Sequence, residues 1–288
     1  MKDSAPAGQN AAELQPPGLY IVATPIGNLG DLSPRAARIL ASVAVIACED
    51  TRVTARLLQH IGAKTPMLPY HDHNADAVRP RLIARMGVEA VALVSDAGTP
   101  LISDPGYKLV RDARAAGVTV VTIPGPCAAV AALTLAGLPT DRFLFAGFLP
   151  AKAGARATAI AEFAALRASL VFYESAGRTA ATLTALAEGL GDRPAAVARE
   201  ISKRFEETVD GSLSALAARY ADEPPRGEVV IVVGPPAAVA APDAATLDEA
   251  LHAALADASL SAAASSVAAL LNLPRKAVYA RALELRDG

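Results

Sequence analysis

The chain has 288 residues, 52% of them hydrophobic, with no Trp and 4% aromatics. That is room for about two domains whose cores pack small aliphatic side chains. A net charge of −2 excludes a globally cationic nucleic-acid binder, so any RNA contact must use a local patch.

Residues 1–17 are polar and rich in Pro and Ala, and read as a disordered tail rather than a signal peptide. Residues 18–23 read as a first buried strand, followed by the irregular loop Thr24-Pro-Ile-Gly-Asn-Leu-Gly30. Ser33-Pro34 opens a helix, a cap residue ahead of Pro at the first helical position. Residues 43–48 form the second strand, ending in Glu49-Asp50-Thr51-Arg52 and a helix to 61. Residues 67–70 make a short third strand, then His71-Asp72-His73-Asn74 leads into a helix ending near 86. The run 90–94 is a fourth, central strand, and 107–116 a helix stopped by Gly117. Residues 118–123 give a fifth strand, and Pro124-Gly-Pro-Cys127 turns into a small-residue helix ending near Gly137.

Strands alternating with helices argue a parallel sheet with helices on its faces, an α/β domain over 18–137. A second α/β domain spans 138–234, with strands near 143–147, 169–174, 195–200, 206–210 and 228–234. The fourth of these precedes a helix capped by Ser212 and reads as short and antiparallel. Residues 235–246 read as a Pro/Ala linker. Three helices over 247–288 make a helix-turn-helix-like unit with Arg275 and Lys276 at its last helix. No apolar run reaches about 18 residues, so no membrane span is expected and a soluble cytoplasmic protein is the default.

The loop 95–106, Ser-Asp-Ala-Gly-Thr-Pro-Leu-Ile-Ser-Asp-Pro-Gly, is too rich in Gly, Pro and carboxylates to be only a connector. It lies beyond the carboxyl end of a strand, where ligands sit in open α/β sheets. The first loop lacks the Gly-x-Gly-x-x-Gly pattern, and Pro25 removes a donor that a phosphate would use. A ligand with a zwitterionic end and an adenosine but no phosphate fits better, and S-adenosylmethionine is such a molecule. Backbone groups of 98–102 and 125–128 are placed to hold it. His71 and His73 read as a solvated loop pair, and Cys48 and Cys127 have no metal-ligand spacing, so no metal is expected. Glu174, Arg178, Arg199, Glu200, Lys203, Arg226 and Glu228 sit at strand ends of the second domain and would present a local anion-facing surface.

Thr24-Pro-Ile-Gly-Asn28, Glu49-Asp-Thr-Arg52, the 95–106 loop and Ile123-Pro-Gly-Pro126, in this order and spacing, resemble the ribosomal RNA small subunit methyltransferase I family of the tetrapyrrole-methylase-like superfamily. Tyr173-Glu-Ser-Ala-Gly-Arg178, Arg199-Glu-Ile-Ser-Lys203 and Arg226-Gly-Glu228 extend the resemblance into the second domain. It implies two α/β domains with S-adenosylmethionine in the cleft between them, a homodimer, and 2′-O-methylation of a cytidine in the decoding region of 16S rRNA in the small ribosomal subunit. It also implies cofactor contacts at Pro25, Gly98, Thr99, Leu101, Ile102, Gly125, Cys127, Ala128, Phe172 and Tyr173. RNA contacts are expected at Arg52, Arg178, Arg199, Arg226, Arg275 and Lys276. A ribose hydroxyl is a poor acid, so Lys203 with a lowered pKa, Glu200 or Glu49 is expected to assist its deprotonation. The competing readings are a tetrapyrrole or protein methyltransferase of the same superfamily and a non-catalytic RNA-binding module.

Overall fold

The computed structural model describes residues 15–237, 243–271 and 273–287. The chain divides into two compact units, 1–236 and 237–288. Most of the expected N-terminal tail, and residues 238–242 of the expected linker, lie outside the described residues.

The first unit opens with β1 (Gly18–Val22), α1 (Pro34–Ser42), β2 (Val45–Cys48), α2 (Thr51–His60) and β3 (Met67–Pro69). It continues with α3 (Ala75–Met86), β4 (Ala90–Val94), α4 (Tyr107–Ala115), β5 (Val120–Ile123) and α5 (Ala128–Leu135). The strands pair in parallel in the order β3-β2-β4-β1-β5. Strands β2 and β4 are buried at every position, which is what two helix-covered faces demand and why they are continuous apolar runs. Helix starts are set by side chains. Ser33 accepts the Ala36 N–H ahead of Pro34, and Asp50 accepts the Arg52 N–H. Because all five strands run the same way, the loops after β1, β2, β4 and β5 share one edge. An isolated bridge joins Thr24 to Gly98, and the Thr99 hydroxyl donates to the Pro126 carbonyl at 2.9 Å. Three loops are thereby tied into one surface.

The second lobe of this unit carries β6 (Phe143–Phe148), α6 (Ala153–Ala161), β7 (Ser169–Ser175), α7 (Thr179–Leu190), β8 (Pro194–Arg199), β9 (Glu207–Ser212), α8 (Leu213–Asp222) and β10 (Glu228–Val233). Its sheet runs β6-β7-β10-β8-β9, parallel between β6 and β7 and antiparallel elsewhere. One face buries Leu170, Phe172, Val197 and Ile231 against Leu183, Leu186 and Leu216 of α7 and α8. The other face packs Val171, Ala198 and Val230 against Ala129, Ala132 and Leu133 of α5. Helix α5 therefore belongs to the first lobe by chain order and to the second sheet by packing, and it fixes the cleft between them.

The second unit holds α9 (Ala244–Asp257), α10 (Leu260–Leu271) and α11 (Arg275–Asp287), packed around Leu251, Ala264, Val267, Val278 and Ala282. Helix α9 starts earlier than the expected residue 247, because Asp243 accepts the Thr246 N–H and supplies a cap. Among the described residues no helix is long and apolar enough to cross a membrane.

Candidate functional site

Among the described residues, four that are not glycine have positive φ: Leu101 (75°), Ser103 (61°), Glu200 (50°) and Ser202 (67°). Left-handed backbone costs about 1–2 kcal/mol at such residues, so the surroundings must hold it in place. All four lie on two loops, 95–106 of the first lobe and 200–206 of the second. The second loop is anchored by Ser202, whose hydroxyl donates to the Asp31 carboxylate, and by Lys203.

Between the lobes lies a cavity of about 470 Å³. The first lobe contributes Ile26, Asp96, Gly98, Thr99, Ile102, Ser103 and Asp104, and α5 contributes its first residues with Cys127 before it. The second lobe contributes Phe148, Tyr173, Glu174, Ile201 and Glu228. Four acidic residues contribute to its lining (Asp96, Asp104, Glu174 and Glu228), and no Lys, Arg or His does. The Glu174 carboxylate is turned away onto Thr182 of α7 and Arg178, which leaves three to face a ligand. Gly98 sits at φ +81°, and a Cβ there would come within 3.3 Å of Ile26. A Cβ on Gly125 would come within 2.9 Å of Ala23. Both glycines keep the loops close-packed at the cavity's edge. Cys127 caps α5 without a side-chain hydrogen bond, leaving backbone donors suited to a carboxylate. The Tyr173 hydroxyl accepts the Ala129 N–H at 3.1 Å, and its ring meets Phe145 and Phe148 edge-on at 4.8 and 5.7 Å. Burial pushes the Tyr173 hydroxyl up to about 12, so it stays neutral.

The carboxylates differ in charge preference. Burial, with the Glu49 charge nearby, pushes Asp104 up to about 6 against a Ser95 hydrogen bond. Burial, Asp96 and Asp72 raise Glu49, with His71 opposing. Burial by itself would lower Lys203, but its hydrogen bonds to Glu228 (2.6 Å) and Glu200 (2.9 Å) prevail and raise it. The expected lowered amine is thus reversed, because two carboxylates face one ammonium. Glu200 is lowered, first by that same hydrogen bond from Lys203.

A second cavity of about 560 Å³ adjoins the first and shares Ile26, Asp96, Ala97 and Glu228 with it. Pro25, Val53, Arg56 and Lys203 line only this second space of the two.

The structure brings Gly98, Thr99, Ile102, Cys127, Ala128 and Tyr173 to the first cavity and Pro25 to the second. Gly125 lines a shallower depression with Pro126 and Ile201. Phe172 is a correction. It is 0% exposed and points into the opposite core, since neighbours on a strand alternate in face and Tyr173 takes the cavity side. Leu101 is likewise corrected as a lining residue, because its side chain packs into the first-lobe core and under Gly106. Glu49 lies at the end of β2 beside Asp104 and Asp96 without lining either cavity.

The basic residues divide further. Arg178 donates to the Leu149 carbonyl at 2.7 Å and pairs with Glu174, whose side chain is 1% exposed. It is a positioning group of the fold and not a free RNA contact. Arg178→Ala strands that buried carboxylate and is expected to cost about 3 kcal/mol, read as a lower Tm. The salt dependence of RNA binding should stay unchanged. Arg52 pairs with Asp50 at 2.6 Å and Arg199 with Glu207 at 2.7 Å. Arg226 is exposed, with no ion pair or hydrogen bond among the described residues. In the second unit Arg275 is turned onto Ser265 and Ser261 at 2.8 and 3.0 Å, and Lys276 is exposed. Carboxylates outnumber cations over residues 243–287, so these helices carry no net positive field. Asp96 and Asp104 were given no role from the sequence, although both stand inside its motifs, and Glu228, expected on an anion-facing surface, lines both cavities instead.

The family model described as Tetrapyrrole (Corrin/Porphyrin) Methylases matches residues 18–217, and the RsmI C-terminal HTH domain matches 241–286. A protein named ribosomal RNA small subunit methyltransferase I from Mesorhizobium japonicum is 49% identical over 285 residues, 97% of either chain. Its namesake from Erythrobacter litoralis is 52% identical over 277 residues, covering 96% of this chain and 98% of that one. Diphthine synthase is similar in structure with a TM-score of 0.59 at 16% identity, over 75% of this chain and 89% of that one. A uroporphyrin-III C-methyl transferase from Thermus thermophilus, complexed with S-adenyl homocysteine, gives 0.53 at 21% identity over 75% and 97%. At such identities the likeness is one of fold. The near-full-length identity to the named relatives says more: the chain belongs to the ribosomal RNA small subunit methyltransferase I family, within the tetrapyrrole methylases.

Proposed function

We propose that the protein transfers the methyl group of S-adenosylmethionine to the ribose 2′-hydroxyl of a cytidine in the decoding region of 16S rRNA. The observation that carries this reading is the first cavity, with carboxylates on its walls, no basic side chain, and at one edge the N-terminus of α5, whose N-cap side chain makes no hydrogen bond. A phosphate ligand would be repelled there, whereas a ligand bearing a sulfonium, an ammonium and one carboxylate is matched group by group. S-Adenosylmethionine supplies an electrophilic methyl group on that sulfonium. The relatives' names supply the RNA, and the resemblance supplies the ribose oxygen and the cytidine. Action as a homodimer in the cytoplasm belongs to the same reading.

The chain's own residues have three tasks. The loops after β1, β4 and β5 hold the donor through backbone groups at Gly98, Thr99, Cys127 and Ala128. Tyr173 and Phe148 exclude water on the second-lobe side, which strengthens every charge interaction inside. At the junction of the two cavities, the Lys203 ammonium stabilises negative charge developing on the attacking oxygen, while a carboxylate takes the proton. Glu49, raised by burial beside Asp96, lines neither cavity, so the acceptor at the junction is a carboxylate that lines both, Asp96 or Glu228. Glu200, held low by Lys203, serves to position the ammonium.

Transfer of labelled methyl from S-adenosylmethionine to small ribosomal subunits lacking their modifications tests this directly. Label is expected on a ribose 2′-oxygen of 16S rRNA. Label on a base or a protein, or on neither despite bound cofactor, overturns the assignment.

A further inference from the structure

We infer that the second cavity, of about 560 Å³, is the acceptor site and takes one unstacked nucleotide of an RNA strand, with Arg56 on its phosphate. This rests on the methyl-transfer reading of the neighbouring cavity. Transfer in line requires donor and acceptor atoms about 3–3.5 Å apart, so the two ligands must share a wall. These cavities do, at Ile26, Asp96, Ala97 and Glu228.

Charge separates them. The first is lined by carboxylates without a cation, whereas the second adds Lys203 and Arg56 to the shared Asp96 and Glu228, so cations enter only on its side. The two basic groups differ in what occupies them. Lys203 is bound to Glu200 and Glu228, so it offers a fixed charge at the junction. Arg56 stands exposed on α2 with no ion pair or hydrogen bond among the described residues, while Arg52, one turn earlier, is closed onto Asp50. A guanidinium left open at the mouth of a cavity suits a phosphate oxygen.

Shape sets the form of the ligand. Val53 and Leu57 of α2 wall one side, the 24–29 loop another, and Lys203 reaches across from the second lobe. A base still paired and stacked in a helix cannot enter such a space, so the nucleotide must be swung out of its strand.

Val53→Trp fills the second cavity from its α2 wall, and Arg56→Glu reverses the charge at its mouth. The probes are S-adenosylmethionine by calorimetry and methyl transfer to unmodified small subunits, with thermal melting as a check on folding. Val53→Trp is expected to lower transfer about 100-fold or more with cofactor Kd within about threefold. Arg56→Glu should raise the KM for subunits about tenfold, Arg56→Lys should restore most of it, and Arg56→Ala should reduce the salt slope by about one. Wild-type transfer by a folded Val53→Trp overturns the proposal, as does loss of cofactor binding in that folded variant. Should Val53→Trp not fold, an unchanged KM and salt slope in the Arg56 variants overturn it. A wild-type protein that binds cofactor and labels no RNA instead overturns the methyl-transfer reading itself.

Discussion

Lys203→Ala is expected to slow methyl transfer to small ribosomal subunits by about 10²- to 10³-fold while S-adenosylmethionine affinity stays within about threefold. The separation follows from position, since Lys203 lines the second cavity and not the first. Its charge is secured by two carboxylates at 2.6 and 2.9 Å, which raise its pKa, so it acts as a cation and not as a base. A preorganised ammonium at a developing oxyanion is worth about 2.7–4 kcal/mol when one donor is removed. The lysine stem rests on Gly27, where any Cβ would run into its side chain. Gly27→Ala therefore offers an independent route to the same defect, pushing the ammonium off Glu228 without deleting it. Single-turnover kinetics with cofactor saturating separates the steps. A normal single-turnover rate in Lys203→Ala would remove the residue from the chemistry, and a rate that climbs with pH through the amine's range would restore it as a base.

The first lobe was legible because its strands are buried on both faces. Runs such as Val45–Cys48 and Ala90–Val94 carry no polar interruption to confuse the reading. The same continuity hid which neighbour faces what in β7. In Leu170-Val-Phe-Tyr173 every residue is apolar enough for either side, and only the packing of α5 on one face and α7 on the other assigns Tyr173 to the cavity and Phe172 to the core. Motif position carried Gly98 and Cys127 to the cavity but failed for Leu101, whose left-handed backbone turns its side chain inward. The basic residues were the least legible. Whether Arg178 or Arg199 is free depends on Leu149 and Glu207, partners brought near only by the folded sheet. Asp104 shows the same limit, since its proton affinity is set by burial and by Glu49 in the loop after β2.

That last group gives a result of opposite sign for stability and for binding: Asp104→Asn should stabilise the protein at pH 8 and weaken its grip on S-adenosylmethionine. In the folded protein Asp104 is raised from its ordinary value of 3.8 to about 6. Its protonated form is therefore favoured by folding, so its contribution to stability is full below pH 3.8 and is lost as the pH rises through about 6. Asparagine resembles the protonated acid at every pH and avoids that loss. With solvent screening discounted, the gain at pH 8 is about 1 kcal/mol, or about 2–4 °C in Tm, and it should vanish near pH 4. Binding runs the other way, because the ionised carboxylate faces a cavity matched to a cationic ligand. Asp104→Asn is expected to raise the cofactor Kd about tenfold at pH 8, equivalent to about 1.4 kcal/mol. Wild-type affinity should fall as the pH drops through about 6, and the variant should lack that step. Calorimetry at pH 8 and pH 5 with melting curves on the same samples measures both effects. A variant that is less stable than wild type at pH 8, or that keeps the wild-type pH dependence of binding, would show that the Asp104 charge does not face the ligand. If both effects appear, the cost of holding a buried carboxylate ionised is what the cofactor's positive charge offsets, and the bound protein should melt with a flatter pH dependence than the free one.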